Sequence, residues 1–509
     1  MLNQSFSAES FQEIFDKENR KGKNIENLFK VDFQNTLTHL KSIQLLTKAI
    51  KNEPDKDKRK ILYADRKKLK KEREELILEV LEKASIDLPK RVNEINLING
   101  PIIGKQTYIL DTNIQNFFMS KKVQWNILKT YKVKQANRYE IITQLINLLE
   151  DKFPKYVLRT DIKSFYESIP QNPLRNKIND DYLLSILSKR FINRIFEEYN
   201  RLTSQDGSDD PKGIPRGIGI SPYLSELYMR QVDKQIKGLK DVVYYSRYVD
   251  DIIIVFIPEK KELNEQQLKK YDASIKSIIN LSCLEINDEK TKNYNLLNNL
   301  SEIRTTTLQR NDGVDIPISY VPNPKTIDFL GYKIGSQQNR TYTSSTDKTK
   351  ITEKLSIDMS ENKLDKYENR IKIAFEEYKN KKMSNPKVAY KLLYSRIEFL
   401  SSNIRLRNNK AGVLIGIYYS NVFVNNMQNL QKIDKGLKYY LSRAGFSAAE
   451  KDSFNKFSFV LGFCSKKYIQ IPLKKETYKN HNSKKNDLVN AKNKGVLRYG
   501  LKEINSIWK

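Results

Sequence analysis

Residues 245–256 read YSRYVDDIIIVF. Two adjacent aspartates, Asp250 and Asp251, stand between an aromatic-rich half and an unbroken apolar run. An unpaired carboxylate is costly to bury, so the pair needs a compensating cation or a place at an exposed turn. Widened to VVYYSRYVDDIIIVF, residues 242–256, the stretch has the pattern of strand, tight turn and strand, with Val249 and Asp250 near the bend. Such a hairpin holds both aspartates at the mouth of a cleft while its arms stay buried. An ordinary exposed turn explains a single Asp pair equally well, because Asp favours turns.

A second segment changes the balance. YVLRTDIKSFYESIP, residues 156–170, is also a short strand ending on an acid, Asp161, followed by Phe165 and Tyr166. If the two strands are neighbours, Asp161 and Asp250 converge. Hard oxygen donors from separate strands suit Mg²⁺, which takes a few carboxylates, waters and substrate phosphates. Two such ions ~4 Å apart activate an attacking hydroxyl and stabilise a leaving pyrophosphate, with Mn²⁺ as an alternative metal. The chemistry expected is in-line phosphoryl transfer, in which positioning and charge neutralisation do most of the work.

Between these segments lies GIPRGIGISPYLSELYMRQVDKQI, starting at Gly213. Gly213, Gly217 and Gly219 permit close backbone approach, and Ser221-Pro222 marks a helix start. Leu224, Leu227, Tyr228, Val232 and Ile236 then recur at helical spacing.

Composition bounds the class. At 509 residues the chain exceeds one ordinary core. An apolar fraction of 39% with 29 Tyr and 21 Phe suits globular packing and argues against disorder. The net charge of +30 suits a polyanionic partner, although an excess of Lys is also a compositional trait. Cys283 and Cys464 alone make neither a disulfide framework nor a cysteine zinc site, and His39 and His481 argue against histidine metal centres. No apolar run has membrane-spanning length, and the start MLNQSFSAESFQEIFDKENRKG lacks a signal-peptide core, so a cytoplasmic protein is expected.

Three regions are expected: a helical N-terminal region over 1–130, alternating strands and helices over 131–340, and a mostly helical C-terminal domain over 341–509. In the first, DKDKRKILYADRKKLKKEREELILEVLEKA is expected as one long solvated helix, with Leu76, Ile77, Val80 and Leu81 on its packed face. TSQDGSDDPKGIPRGIG and QRNDGVDIPISYVPNPK are expected as loops, and the basic tail KKETYKNHNSKKNDLVNAKNKG as another.

Taken in order, these pieces resemble the palm of reverse transcriptases. TDIKSFYESI is similar to motif A, GIPRGIGISPYLSEL to motif B, YVDD to motif C, LEINDEKTK to motif D, and IDFLGYKI to the primer-grip motif. Four-residue YxDD matches are common by chance, whereas five motifs in order are not. The resemblance implies an α+β fold with fingers and palm of a right-hand polymerase. It also implies that Asp161, Asp250 and Asp251 bind two Mg²⁺ ions. Tyr166, five positions after Asp161, would lie beneath the incoming sugar and exclude ribonucleotides; Phe165 is grouped with it among the nucleotide-binding residues, with packing into the core as its expected place. Lys290 would be the general acid for pyrophosphate, or else a surface lysine. Pro215, Arg216 and Gly217 would sit beside the nascent base pair. Many family members carry Gln where Arg216 stands, which puts templating geometry or fidelity in question here. In VKQANRYEII, Lys134 and Arg138 would contact the triphosphate, and Phe329, Leu330 and Gly331 would form the primer grip.

With no ribonuclease H cluster or histidine endonuclease evident, the chain resembles abortive-infection and defence-associated bacterial reverse transcriptases. In that class helical repeats replace the thumb, and trimers or hexamers assemble. The resemblance implies dNTPs as substrates, a DNA product, RNA-directed or template-independent synthesis, and priming from a protein tyrosine or use of a non-coding RNA. Two alternatives stand beside it: a retron or group II intron enzyme, and a catalytically idle nucleic-acid-binding scaffold.

Overall fold

A computed structural model of the chain describes residues 2–150, 153–259, 265–296, 304–309, 315–320, 326–343, 348–406, 413–472, 476–478 and 496–508. They form two compact units. One comprises residues 1–144 and 153–298, the other 145–152 and 299–509.

The first unit opens with helices α1 (Ala8–Arg20), α2 (Ile25–Leu28), α3 (Gln34–Asn52), α4 (Lys56–Ser85) and α5 (Leu88–Arg91). Helix α4 is the long charged helix expected from the sequence. Asp55 caps it by accepting from the Asp57 and Lys58 amides, and only Ile77, Leu81 and Ala84 of its thirty residues are buried. A hairpin, β1 (Leu97–Asn99) and β2 (Tyr108–Leu110), precedes α6 (Ile114–Tyr131) and α7 (Arg138–Glu150), which belongs to this unit as far as residue 144. Then come β3 (Tyr156–Asp161), the single turn α8 (Phe165–Ser168), α9 (Gln171–Asp180), α10 (Ile186–Leu202) and α11 (Ser221–Lys237). Strands β4 (Val242–Tyr248) and β5 (Asp251–Phe256), helix α12 (Glu265–Leu281) and β6 (Lys292–Asn295) complete the unit.

The sheet order is β4-β5-β3-β6, antiparallel throughout. Ile252 to Phe256 of β5 are all buried, which is why the sequence there runs apolar without alternating. Each such side chain contributes about 1.5–3 kcal/mol by leaving water. Helix α11 buries Leu224, Leu227, Val232 and Ile236, the stripe expected from its spacing, whereas Tyr228 is half-buried and donates its hydroxyl to the Ser282 carbonyl.

The second unit holds the ribbon β7 (Arg304–Gln309) and β8 (Asp315–Tyr320), and a sheet of β9 (Ile327–Phe329), β10 (Tyr332–Thr343) and β11 (Lys348–Met359). Helices α13 (Glu361–Lys382), α14 (Pro386–Ser401) and α15 (Gln428–Arg443) follow. The helical pattern expected from about residue 350 begins only after Met359: Ile357 and Met359 are buried at period two, a strand signature. Within RLRNNKAGVLIGIYYSNVFVNN, strands β12 (Asn403–Leu406) and β13 (Leu414–Gly416) join β14 (Tyr468–Ile471) in a small sheet. The fold is α+β, with a C-terminal region dominated by helices but stiffened by strands. Of the QRNDGVDIPISYVPNPK loop, residues 315–320 form β8, while 310–314 and 321–325 lie outside the described residues. Most of the basic tail 474–495 lies outside them too.

Candidate active site

Strand pairing brings the acids together. In the β3–β5 ladder Asp161 stands directly opposite Asp251, and in the β4–β5 ladder Tyr248 faces Asp251, leaving Val249 and Asp250 as a two-residue turn. Val249 takes φ 62°, a conformation that costs a β-branched residue roughly 1–3 kcal/mol and persists only where its surroundings enforce it. Here they do. The buried Arg247 donates from Nη1 to the Val249 carbonyl at 3.0 Å, and the Ile162 amide donates to the Asp250 carbonyl at 3.1 Å.

Arg247 is itself held from α11. Its guanidinium meets Glu226 at 2.7 and 3.0 Å and Asp233 at 2.9 Å, and the Tyr245 hydroxyl donates to Asp233 at 2.6 Å. Burial alone would depress this arginine, but Asp233 and Glu226 outweigh it and raise its pKa. The motif C turn is thus clamped to the motif B helix by a buried ion network.

The motif D segment adds the third side. The Asn287 amide donates to the Asp161 carbonyl at 2.7 Å, and Lys290 Nζ reaches both Asp161 carboxylate oxygens at 3.1 and 3.3 Å. Asp251 has a cation as well: Arg159 Nη2 lies 3.5 Å from its Oδ1. Burial raises the pKa of Asp250, with Asp161 adding repulsion against the relief from Lys290 and Arg216. Burial raises Asp251 too, opposed by Arg159 and reinforced by Asp250 and Asp161.

Tyr166 and Arg216 meet beside these acids. Phe165 is buried, and Tyr166 is half-buried with its ring edge-on to Phe165 at 5.3 Å. The Arg216 guanidinium lies 5.0 Å from the Tyr166 ring centroid and is gripped by Glu167 at 3.0 and 3.3 Å. Lys105 Nζ joins Glu167 at 3.0 Å. Burial would raise the Glu167 carboxyl, yet the hydrogen bonds from Arg216 and Lys105 hold it below its ordinary value. The loop follows the strand closely: the Ile214 amide donates to the Tyr166 carbonyl at 2.7 Å, and the Pro215 carbonyl accepts from Ser221 Oγ at 2.6 Å. Gly217 sits at φ 100°, where a Cβ would come within 2.8 Å of the Tyr108 carbonyl, so only glycine fits.

The other expected residues stand on other elements. Lys134 is exposed ahead of α7, and Arg138 is the half-buried first residue of that helix. In the second unit, Leu330 (φ 44°) and Gly331 (φ 77°) form the two-residue turn between β9 and β10, with Phe329 opposite Tyr332. That geometry is the I′ hairpin, which glycine favours. Phe329 is a core residue. The residues missed from sequence are Arg159, Arg247, Glu226, Asp233, Glu167, Lys105 and Asn287. Arg247 and Glu167 sit inside motifs already singled out, and two charges on the arms of otherwise buried segments were the available signal.

Among the described residues, no group of three or more His, Cys, Asp or Glu is gathered to hold a metal ion. The protein's own cations, Lys290 and Arg159, face two of the three acids instead. The donor chemistry nevertheless suits a hard divalent ion: carboxylates only, from adjoining strands, each of the turn acids destabilised by its neighbours' charge.

Residues 104–334 match the family described as reverse transcriptase (RNA-dependent DNA polymerase). That stretch of the chain is therefore similar to a reverse transcriptase domain. The match begins before the first motif and takes in the Lys105 segment and β2. Among solved structures, telomerase from Candida albicans in complex with a TWJ fragment of telomeric RNA is similar at 11% identity and a TM-score of 0.31, over 72% of this chain and 66% of that one. Apo telomerase from Candida tropicalis gives 16% and 0.31, over 72% and 58% of the two chains. A form of it truncated from the C-terminal domain gives 15% and 0.27, over 54% and 60%. This chain thus spans 58–66% of the length of those telomerase chains. No curated protein matches in sequence. No helix among the described residues is long and apolar enough to cross a membrane.

Proposed function

We propose that the protein makes DNA from deoxynucleoside triphosphates by in-line nucleotidyl transfer, directed by RNA or without a template, with Asp161, Asp250 and Asp251 as the metal-binding acids. What supports this is the register that sets Asp161 opposite Asp251 and puts Asp250 in the adjoining turn. Two Mg²⁺ or Mn²⁺ ions held there would supply activation of the primer hydroxyl and charge neutralisation of the leaving pyrophosphate.

The chain's own residues do the rest. Tyr166 lies beneath the nucleotide sugar and excludes a 2′-hydroxyl, and Arg216 fixes that ring by stacking on it. Lys290, which pairs with Asp161 in this structure, would be the residue that donates a proton to pyrophosphate once the acids hold metal. Pro215 and Gly217 let the backbone approach the nascent base pair, Lys134 and Arg138 contact the triphosphate, and Phe329, Leu330 and Gly331 form the primer grip.

The setting we propose is antiphage defence, in the cytoplasm, with a homo-oligomer as the working form and a protein tyrosine or a non-coding RNA starting synthesis. This rests on the resemblance to defence-associated enzymes. The test is to purify the protein from cells, treat portions with protease, DNase and RNase, and sequence any bound nucleic acid. Wild type should carry or make DNA and lower phage plating, and Asp251→Asn should do neither. A fully active Asp251→Asn variant would overturn the assignment.

A further inference from the structure

On the first unit, α1 and α6 form a recess of about 140 Å³ that reaches Tyr223 in the first turn of α11. Its floor is one buried carboxylate, Glu18, with its side chain only 5% exposed. Three lysines share that carboxylate: Lys21 at 2.7 Å, Lys23 at 3.0 Å and Lys121 at 3.6 Å. A fourth, Lys17, lies 4.2 Å over the centroid of the Trp125 ring.

One negative charge cannot neutralise four positive ones. Burial works to raise Glu18, yet Lys21, Lys23 and Lys121 bring it down to about 2, so it stays ionised. The surplus appears on the lysines. Lys121 is lowered by burial and by Lys23 and Lys21 even with Glu18 beside it, and Lys17 by burial and by Lys21 and Lys129. A structural salt bridge needs one lysine. The extra ones repel each other and cost stability unless an anion covers them.

The location says which anion. Gln124, which lines the recess, packs so tightly on Gly219 of the motif B loop that a Cβ there would collide with its amide. The recess therefore opens beside the segment proposed to face the nascent base pair. We propose that this lysine cradle binds the phosphodiester backbone of a single-stranded nucleic acid leading to or from that base pair, with the strand's phosphates displacing Lys17 from Trp125. The proposal rests on the polymerase reading. Lysines without a bidentate partner suit phosphates as point charges, with no sequence preference.

Trp125 is one of only two tryptophans, so a Trp508→Phe variant isolates its emission. Oligothymidylate and oligouridylate would be titrated into that protein, following both Trp125 emission and the anisotropy of a labelled strand. Emission should change in step with anisotropy. The strand type that binds more tightly identifies the natural occupant as DNA or RNA. Lys17→Ala with Lys21→Ala, which leaves Lys23 and Lys121 on Glu18, should weaken binding about tenfold near 0.1 M salt. It should also flatten the log–log salt slope by about 1.4, at ~0.7 per lost phosphate contact. Lys17→Gln alone should give about half that change and guards against misfolding of the double variant. Binding with silent Trp125 emission, or an unchanged salt slope in both variants, would overturn the cradle while leaving the polymerase reading intact. No binding of either strand would overturn both, and primer extension by Asp251→Asn against wild type tests the latter by itself.

Discussion

Replacing Asp250 with Asn should make the metal-free protein more stable while removing its activity. Asp250 is half-buried in the motif C turn, and burial together with Asp161 holds its folded pKa above the ordinary 3.8. The folded state therefore keeps this proton longer than the unfolded chain does. That contribution to stability is complete below pH 3.8 and is lost as the pH rises through the folded value. At neutral pH the ionised carboxylate is a cost, and Asn removes it with almost no change in shape. Relieving a like-charge contact between partly exposed groups gains at most about 1 kcal/mol. For a unit of this size that is a rise of about 2–4 °C in the unfolding midpoint. Thermal unfolding would be followed in EDTA at several pH values between 4 and 8, then with added Mg²⁺. The variant should exceed wild type at pH 7, the gap should close towards pH 4, and Mg²⁺ should raise wild type alone, by mass action. A variant less stable than wild type at pH 7 without metal, or a gap that does not change with pH, would refute the account of repelling acids.

Tyr166→Ala should raise ribonucleotide incorporation relative to deoxynucleotide, with folding unchanged, as read from competitive primer extension; unchanged selectivity would mean that another residue guards the sugar. Arg247→Met should strip the compensation from Glu226 and Asp233 and lower stability by about 3–5 kcal/mol, measured by denaturant unfolding; a loss under 1 kcal/mol would mean that the network does not hold the turn. Arg396, in the second unit, is fully buried, leaves Nη2 without a hydrogen-bond partner and is depressed by burial to about 10. Arg396→Met should therefore stabilise the protein by about 1–3 kcal/mol in the same assay, and destabilisation would show that the Nε bond to the Ile504 carbonyl and the charge of Glu377 outweigh the cost of burial.

Much of this site is legible in the sequence. Local sequence specifies a hairpin when apolar arms flank a two-residue bend, so the turn at Val249 and Asp250 was legible. So were the helix opening at Ser221-Pro222 with its buried stripe, the packing of Phe165 behind Tyr166, and the long solvated helix α4. Each depends on neighbours a few residues apart, where periodicity and turn chemistry act directly. The strand β11 was not legible as such, because Lys348–Met359 alternates only weakly and owes its form to pairing with β10.

What the sequence alone determined is which residue types are present and how each short segment folds: a turn bearing two acids, a strand ending in a third, a glycine loop entering a helix. Only the tertiary structure decided which of them meet. Asp161 faces Asp251 because β3 pairs with β5 although they are far apart in the chain, and Arg247 is held by Glu226 and Asp233 because α11 packs on β4. Likewise Glu18 of α1 gathers Lys21 and Lys23 from the turn after that helix and Lys121 from α6, because the two helices adjoin. Charge interactions of this kind depend on distance in space, which the order of residues along a chain does not encode.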